Sequence, residues 1–351
     1  MKKLLYVASA FAFIACGSSK EASNEDANVD QAAKYAATIT AKDLGTHLFT
    51  YASDEFEGRN TGEPGQKKAV EYLKNFYVSN GIVSPLGSDD YFQEVPAEWI
   101  NKNTRRGKFK DSENVVAFIK GSEKPDEIVV ISAHLDHEGV KNGEIYNGAD
   151  DDGSGTVAML EIAEAFQMAT KAGKGPKRSI LFLHVTGEEK GLLGSKYYTD
   201  VDPLFPLANT VCDLNIDMIG RTDARHKDDP NYVYLIGSDK LSTELHNLSE
   251  TINKKYTNIN LDYKYNDEND PNRFYYRSDH YNFAKNNVPI IFYFNGTHAD
   301  YHRPTDTPDK INYELLENRT RLVFHTAWEV ANKETRILAD KAEVKKEETE
   351  K

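Results

Sequence analysis

The residue pattern predicts an α/β domain whose central sheet is covered by helices, and three observations lead there. The run Ser179 to Val185 is nearly all apolar, as expected of a central strand buried on both faces. Strand signals alternate with helical spacing along the chain, with no internal repeat or proline-rich linker between them. An acidic, glycine-rich turn, Asn147 to Gly155, leads into a helix over 156–169. There Val157, Leu160 and Ala163 or Ala165 can face a sheet.

The N-terminus reads as a separate object. Lys2 and Lys3 precede the apolar run Leu4 to Ala15, which is too short to span a bilayer and suits an export signal. The run ends in Ile14-Ala15-Cys16-Gly17, which resembles a bacterial lipoprotein signal. Cleavage after Ala15 would leave Cys16 as a lipid-bearing end. An ordinary secretory signal, with Cys16 incidental, is the alternative. The expected division is a signal peptide over 1–15, a flexible tether over 16–34, one domain over 35–332 and a charged tail over 333–351. The expected location is the bacterial cell envelope, with lipid on Cys16 holding the protein to a membrane.

Within the domain, residues 31–53 read as helix, with Leu44 and Leu48 at helical spacing. A polar loop with three glycines, Asp54 to Gly65, separates it from a helix over 66–76 carrying Ala69, Leu73 and Phe76. Strands are expected at Val115 to Ile119, Ile128 to Ala133, Ser179 to Val185, Val211 to Ile219, Tyr232 to Ile236 and Pro289 to Phe294. From Ala331 onward the chain is charged and alanine-rich, reading as a fraying helix or a disordered tail.

Composition narrows the partners. The 351 residues carry a net charge of -13 without a dense Lys/Arg tract, which suits no phosphate backbone and argues against nucleic acid. A mean hydropathy of -0.64 excludes a multispanning membrane protein. Beyond Cys16, Cys212 is the only cysteine, so no disulfide framework exists and the fold must stand on its core.

The candidate chemistry lies in five short segments. His134 ends an apolar strand, and Asp136, two residues on, shares its side and can accept its second imidazole N–H. In Ala149-Asp150-Asp151-Asp152-Gly153-Ser154-Gly155, three consecutive carboxylates repel one another unless cations or backbone amides compensate them. Asp152 or Ser154 can cap the following helix, which leaves at least one carboxylate unexplained, and Asp151 is taken as a ligand bridging two metals. A calcium loop is the competing reading, but its spacing and closing Glu are missing. Thr186-Gly187-Glu188-Glu189 follows the most hydrophobic strand, where open α/β sheets place their chemistry. Glu189 is assigned as ligand and Glu188 as base and acid, against the bland alternative of a solvated loop. Asp217 has apolar neighbours, and a buried carboxylate is costly unless paired or metal-bound. His302 supplies a second histidine. Two Zn²⁺ ions would balance Asp151, Glu189, Asp217 and one shared hydroxide; cobalt or manganese are possible substitutes.

Taken together these segments resemble the M28 family of zinc metallopeptidases over roughly residues 40–330. The resemblance rests on Ser53-Asp54-Glu55-Phe56-Glu57-Gly58-Arg59 with Thr61-Gly62, His134-Leu135-Asp136, Asp151-Asp152-Gly153-Ser154-Gly155 and Thr186-Gly187-Glu188-Glu189. Asn215-Ile216-Asp217-Met218-Ile219-Gly220, Ser278-Asp279-His280 and Tyr301-His302 with Asp306-Thr307 complete it. It implies a three-layer fold with a central, mixed but mostly parallel sheet. It also implies that His134 and Asp217 bind one zinc, Glu189 and His302 the other, and Asp151 both. Glu188 would be the general base, Asp136 the partner of His134, and Tyr301 a donor to the oxyanion.

The expected activity is removal of N-terminal residues from peptides with a free N-terminus. Carboxypeptidase and glutaminyl cyclase activities also occur among such proteins. A non-enzymatic, lipid-tethered peptide- or zinc-binding protein is the rival, and it leaves Glu188 beside Glu189 unexplained.

Overall fold

The structure, a computed structural model, describes residues 30–87 and 89–342. The expected signal peptide, residues 16–29 of the expected tether and the last nine residues lie outside the described residues. In chain order the helices are α1 (Gln31–Ala36), α2 (Ala41–Tyr51), α3 (Pro64–Asn80), α4 (Ala97–Asn103), α5 (Gly155–Lys171), α6 (Leu193–Asp200), α7 (Thr243–Tyr256), α8 (His280–Ala284) and α9 (Tyr313–Asn332). The strands are β1 (Phe92–Val95), β2 (Ser112–Ile119), β3 (Lys124–His134), β4 (Gly139–Lys141), β5 (Glu144–Tyr146), β6 (Arg178–Val185), β7 (Thr210–Ile216), β8 (Tyr232–Ile236), β9 (Asn260–Asp262) and β10 (Ile290–Phe294).

Eight strands form one mixed sheet in the order β1-β2-β6-β3-β7-β10-β8-β9, and β4 and β5 make a separate hairpin. The four central strands β6, β3, β7 and β10 run parallel. β2 and β8 flank them antiparallel. Strand periodicity sets the layers. Val129, Ile131 and Ala133 of β3 face the side packed by α2, α3, α5 and α9, while Ile128 and Val130 face the side of Tyr198 in α6 and Phe283 in α8. This is the expected α/β sandwich of helix, sheet and helix.

Boundaries depart from the expected ones for local reasons. The first helical stretch splits in two because Thr40 caps α2, its hydroxyl accepting the Asp43 N–H at 3.1 Å. α1 begins at Gln31, with Ala32, Tyr35 and Ala36 buried, so the domain's first helix lies partly inside the segment read as tether. β7 stops at Ile216 rather than 219 because the next amides bond elsewhere: Met218 N–H to Asp152, Ile219 N–H to Ser154 and Gly220 N–H to Asp150. The tail is not frayed as far as Ala342. Ile337 is buried, Arg336 donates to the carbonyls of Ala208 and Thr210, and Lys341 N–H bonds to Leu241. No helix among the described residues is long and apolar enough to cross a membrane.

One buried cation ties the loops beneath the sheet's carboxyl edge. Arg59 is fully buried and donates only to main-chain carbonyls, those of Leu135, Tyr51, Asn147 and Gly148. Its guanidinium also lies over the Tyr51 ring. Removing such a group strands several carbonyls without water, so Arg59→Met is expected to cost more than about 3 kcal/mol of unfolding free energy. Denaturant titration of both proteins checks this, and a change within about 0.5 kcal/mol contradicts it.

Candidate metal centre

The candidate residues converge because parallel strands deliver them to one edge. His134 closes β3, Glu188 and Glu189 follow β6, Asp217 follows β7, and Tyr301 and His302 lie on the chain that leaves β10. The pairing of His134 with Val185 sets the first histidine beside the acidic loop. Carboxyl ends of adjacent parallel strands are where such sheets hold ligands. Asp151 enters from the turn before α5.

Two groups of donor atoms result, His134 with Asp152 and Asp217 and His137 with Asp151 and Glu189, and Asp151 also approaches the first histidine. His134 Nε2 lies 3.2 Å from Asp151 Oδ1 and 3.6 Å from Asp217 Oδ1. His302 Nε2 lies 3.0 Å from Asp151 Oδ2 and 3.3 Å from Glu189 Oε1. Two donors bound at roughly 2.0–2.2 Å to a tetrahedral zinc stand about 3.3 Å apart, so these separations fit shared coordination. Within the protein, buried His134 Nε2, Asp151 Oδ2 and Glu189 Oε1 have no hydrogen-bond partner. Orphaned buried polar atoms of this kind are costly, and a pair of divalent cations accounts for them. Nitrogen and carboxylate donors suit zinc, with cobalt or manganese as alternatives.

The three consecutive aspartates separate by direction. Asp152 accepts from the amides of Gly155, Met218 and His134, so it serves the backbone. Asp150 accepts from Gly220 N–H, the Asn295 amide and His298 Nε2. Asp151 alone turns its carboxylate to both histidines. The turn has room for this because Gly148, at φ +55°, carries no Cβ; one would meet the Asp151 carbonyl at 2.3 Å and the His137 ring at 2.5 Å. Asp306 fixes the turn from outside by accepting the amides of Asp150 and Asp151.

Asp136 lies at the centre but bonds differently from the expected pattern. His134 Nδ1 meets the main-chain carbonyl of Asp136 at 2.9 Å, while the carboxylate stands 3.9 Å away. The strand has ended at His134, so the backbone turns and presents its carbonyl instead. The Asp136 carboxylate accepts from Thr61 Oγ1 at 2.7 Å and from Glu188 N–H at 3.1 Å, which ties the Glu188 main chain to the segment after the first histidine.

The electrostatics are those of a carboxylate cluster short of positive charge. Burial opposes protonation of His134, but Asp217 and Asp151 outweigh it and hold its pKa well above the usual imidazole range. Burial likewise disfavours the His302 cation, yet Asp151 and Glu189 lift it to about 10. Burial alone would raise Asp151 and Glu189; their histidine contacts instead hold both carboxyls low. Glu188 is pushed well above its ordinary range by burial, then by Glu189, Asp217 and Asp279. Burial and the carboxylates of Asp151, Glu189 and Glu188 keep Tyr301 a neutral phenol, with its ring stacked on His302 at 4.0 Å.

Several contributors carried little sequence signal. His137 is buried with Nδ1 2.9 Å from Glu189 Oε1, and only its place beside the His134 motif hinted at a role. Gln66 braces the Thr186 hydroxyl at 2.6 Å from a helix that reads as ordinary packing. Arg106, in an exposed polar stretch, donates to the Glu189 carbonyl. His280 is a packing residue, bonded to the Tyr275 carbonyl and stacked on Phe292.

Comparison with known proteins identifies the family and the fold. The family described as Peptidase family M28 matches residues 114–327, and the chain belongs to that family. Leupeptin-inactivating enzyme 1 of Streptomyces exfoliatus is 28% identical over 256 residues, covering 73% of this chain and 48% of that protein. The chain thus spans about half the length of that relative. Among solved structures, the LapA aminopeptidase of Legionella pneumophila superposes with a TM-score of 0.63 at 20% identity, over 86% of this chain and 75% of that one. Glutaminyl cyclase of Porphyromonas gingivalis gives 0.62 at 18% identity, over 82% and 97%. These likenesses establish the shared fold.

Metal must displace the protons that the two histidines hold. His302, with its pKa near about 10, is protonated at pH 7 in the metal-free protein, so loading releases protons and weakens as pH falls. Calorimetric zinc titrations at pH 7, in buffers of differing ionisation enthalpy, should show release of at least one proton per chain. Release of none contradicts this charge assignment.

Proposed function

We propose that the chain is a two-zinc aminopeptidase that removes N-terminal residues from peptides. The observation that carries this reading is the position of Glu188. It borders the cleft that Asp151, Asp217, Tyr301 and His302 line, while its neighbour Glu189 turns into a donor group. In this proposal His134 and Asp217 hold one ion, Glu189 and His302 the other, and Asp151 bridges them. When bound, the two ions supply a nucleophilic water of lowered pKa and polarise the scissile carbonyl.

The protein's own groups do the rest. Glu188 accepts the proton of the attacking water and then delivers it to the departing amine, one carboxyl acting as base and then acid. A pKa raised by burial and then by its carboxylate neighbours suits a group that must take up a proton near neutral pH. Tyr301, kept as a phenol, donates its hydrogen toward the oxygen on which charge develops. Asp136 holds the Glu188 main chain and, through its carbonyl, the His134 ring. The acidic wall receives the substrate's α-ammonium, and Met218, Phe274, Phe292 and Phe294 offer its side chain an apolar pocket. Export and lipid anchoring through Cys16 are proposed on the sequence signal alone.

Two experiments test these roles. Purified zinc-loaded protein should shorten unblocked peptides from the N-terminus and leave N-acetylated ones intact. Shortening from the C-terminus points to a carboxypeptidase, and loss of ammonia from N-terminal glutamine to a cyclase; either result refutes the aminopeptidase reading. Glu188→Gln should keep both zinc equivalents while kcat drops by about 10²–10⁴-fold. Unchanged turnover, or lost metal, would show that Glu188 is not the base.

A further inference from the structure

Two clefts border the centre. The apolar pocket lies on the Asp217 side, lined by Met218, Phe274, Phe292 and Phe294. A second cleft of about 370 Å³ opens on the Glu189 side and is lined by Arg106, Gly191, Leu192 and Tyr276. Glu188, Arg277, Tyr301 and His302 border both. If the N-terminal side chain occupies the apolar pocket, the residue after the scissile bond leaves through the second cleft.

That cleft presents two guanidiniums. Arg277 is exposed; its Nη2 donates to Tyr301 Oη at 3.2 Å, and its guanidinium lies 4.8 Å above the Phe274 ring. Arg106 is also exposed, with Nη1 on the Glu189 carbonyl. Neither forms an ion pair among the described residues, whereas nearby Arg221 and Lys310 both pair with Asp300. Each makes a neutral contact and lines the cleft. Arginine in such a position matches a carboxylate, which it can grip with two parallel hydrogen bonds.

We propose that Arg277 and Arg106 form a carboxylate-binding subsite for the residue following the scissile bond. The preferred substrates are then dipeptides, whose C-terminal carboxylate falls there, or peptides with an acidic second residue. This rests on the aminopeptidase reading and narrows its substrate class.

The test compares leucyl-alanine, leucyl-alaninamide and leucyl-aspartyl-glycinamide. The two carboxylate-bearing substrates separate the main-chain source from the side-chain source, and the amide reports the aminopeptidase reading by itself. At least one acid should exceed leucyl-alaninamide in kcat/KM by about tenfold or more, mainly through KM. In the Arg106→Ala, Arg277→Ala double variant that ratio should fall toward one. Calorimetry with Glu188→Gln protein gives a readout without turnover: the favoured acid should bind about tenfold tighter than the amide. Cleavage of the amide with equal kcat/KM for all three, or a ratio unchanged in the double variant, overturns the subsite and leaves the aminopeptidase reading standing. If no substrate is cleaved, both fall. Should the double variant fail to fold, equal binding of acid and amide to the Glu188→Gln protein overturns the subsite.

Discussion

The structure depends on keeping many carboxylates close together out of water. Asp150, Asp151, Asp152, Asp136, Glu189 and Asp217 are all buried at one edge of the sheet. Their mutual repulsion would open the fold unless each found a compensating partner. Backbone amides serve Asp150 and Asp152, and a hydroxyl and an amide serve Asp136. Asp151, Glu189 and Asp217 are left facing imidazoles, and that residue of unmet charge is what calls for cations.

The same compensation explains the local backbone. The carboxylates of Asp150 and Asp152 take amides that would otherwise extend β7, so the strand ends where Asp217 must point into the cleft. Arg59 collects carbonyls from the segments on either side of the first histidine and the acidic turn. Support comes from elements far apart in sequence, so the centre is assembled by the tertiary fold and not by any one loop. The cleft inherits that rigidity: Glu188 is held through its amide by Asp136, while its side chain remains half-buried and able to meet a substrate.

Much of this was legible in the chain. The apolar run over 179–185 announced β6, and Tyr232 to Ile236 matches β8 at both ends. The donor residues were legible because their segments make no sense as ordinary packing: an aspartate amid apolar neighbours at 217, three aspartates before a helix, two glutamates after a buried strand. What stayed hidden depends on distance in space. That Asp136 would use its carbonyl on His134 follows from the strand ending at His134, so that strand alternation no longer governs Asp136 two residues on. Nothing in the local pattern shows that Arg59 is fully buried or that Arg106 reaches the Glu189 carbonyl. The segment after Asn332 reads as fraying because its composition is charged, yet buried Ile337 and the main-chain contacts of Arg336 and Lys341 dock it.

The central claim is that two cations share Asp151. A crystal structure of zinc-loaded protein with anomalous diffraction at the zinc edge tests it most directly. The account predicts two anomalous peaks, one beside His134 and Asp217, the other beside Glu189 and His302, each touched by a different oxygen of Asp151. A single peak, or two peaks with Asp151 turned away from either, would contradict it.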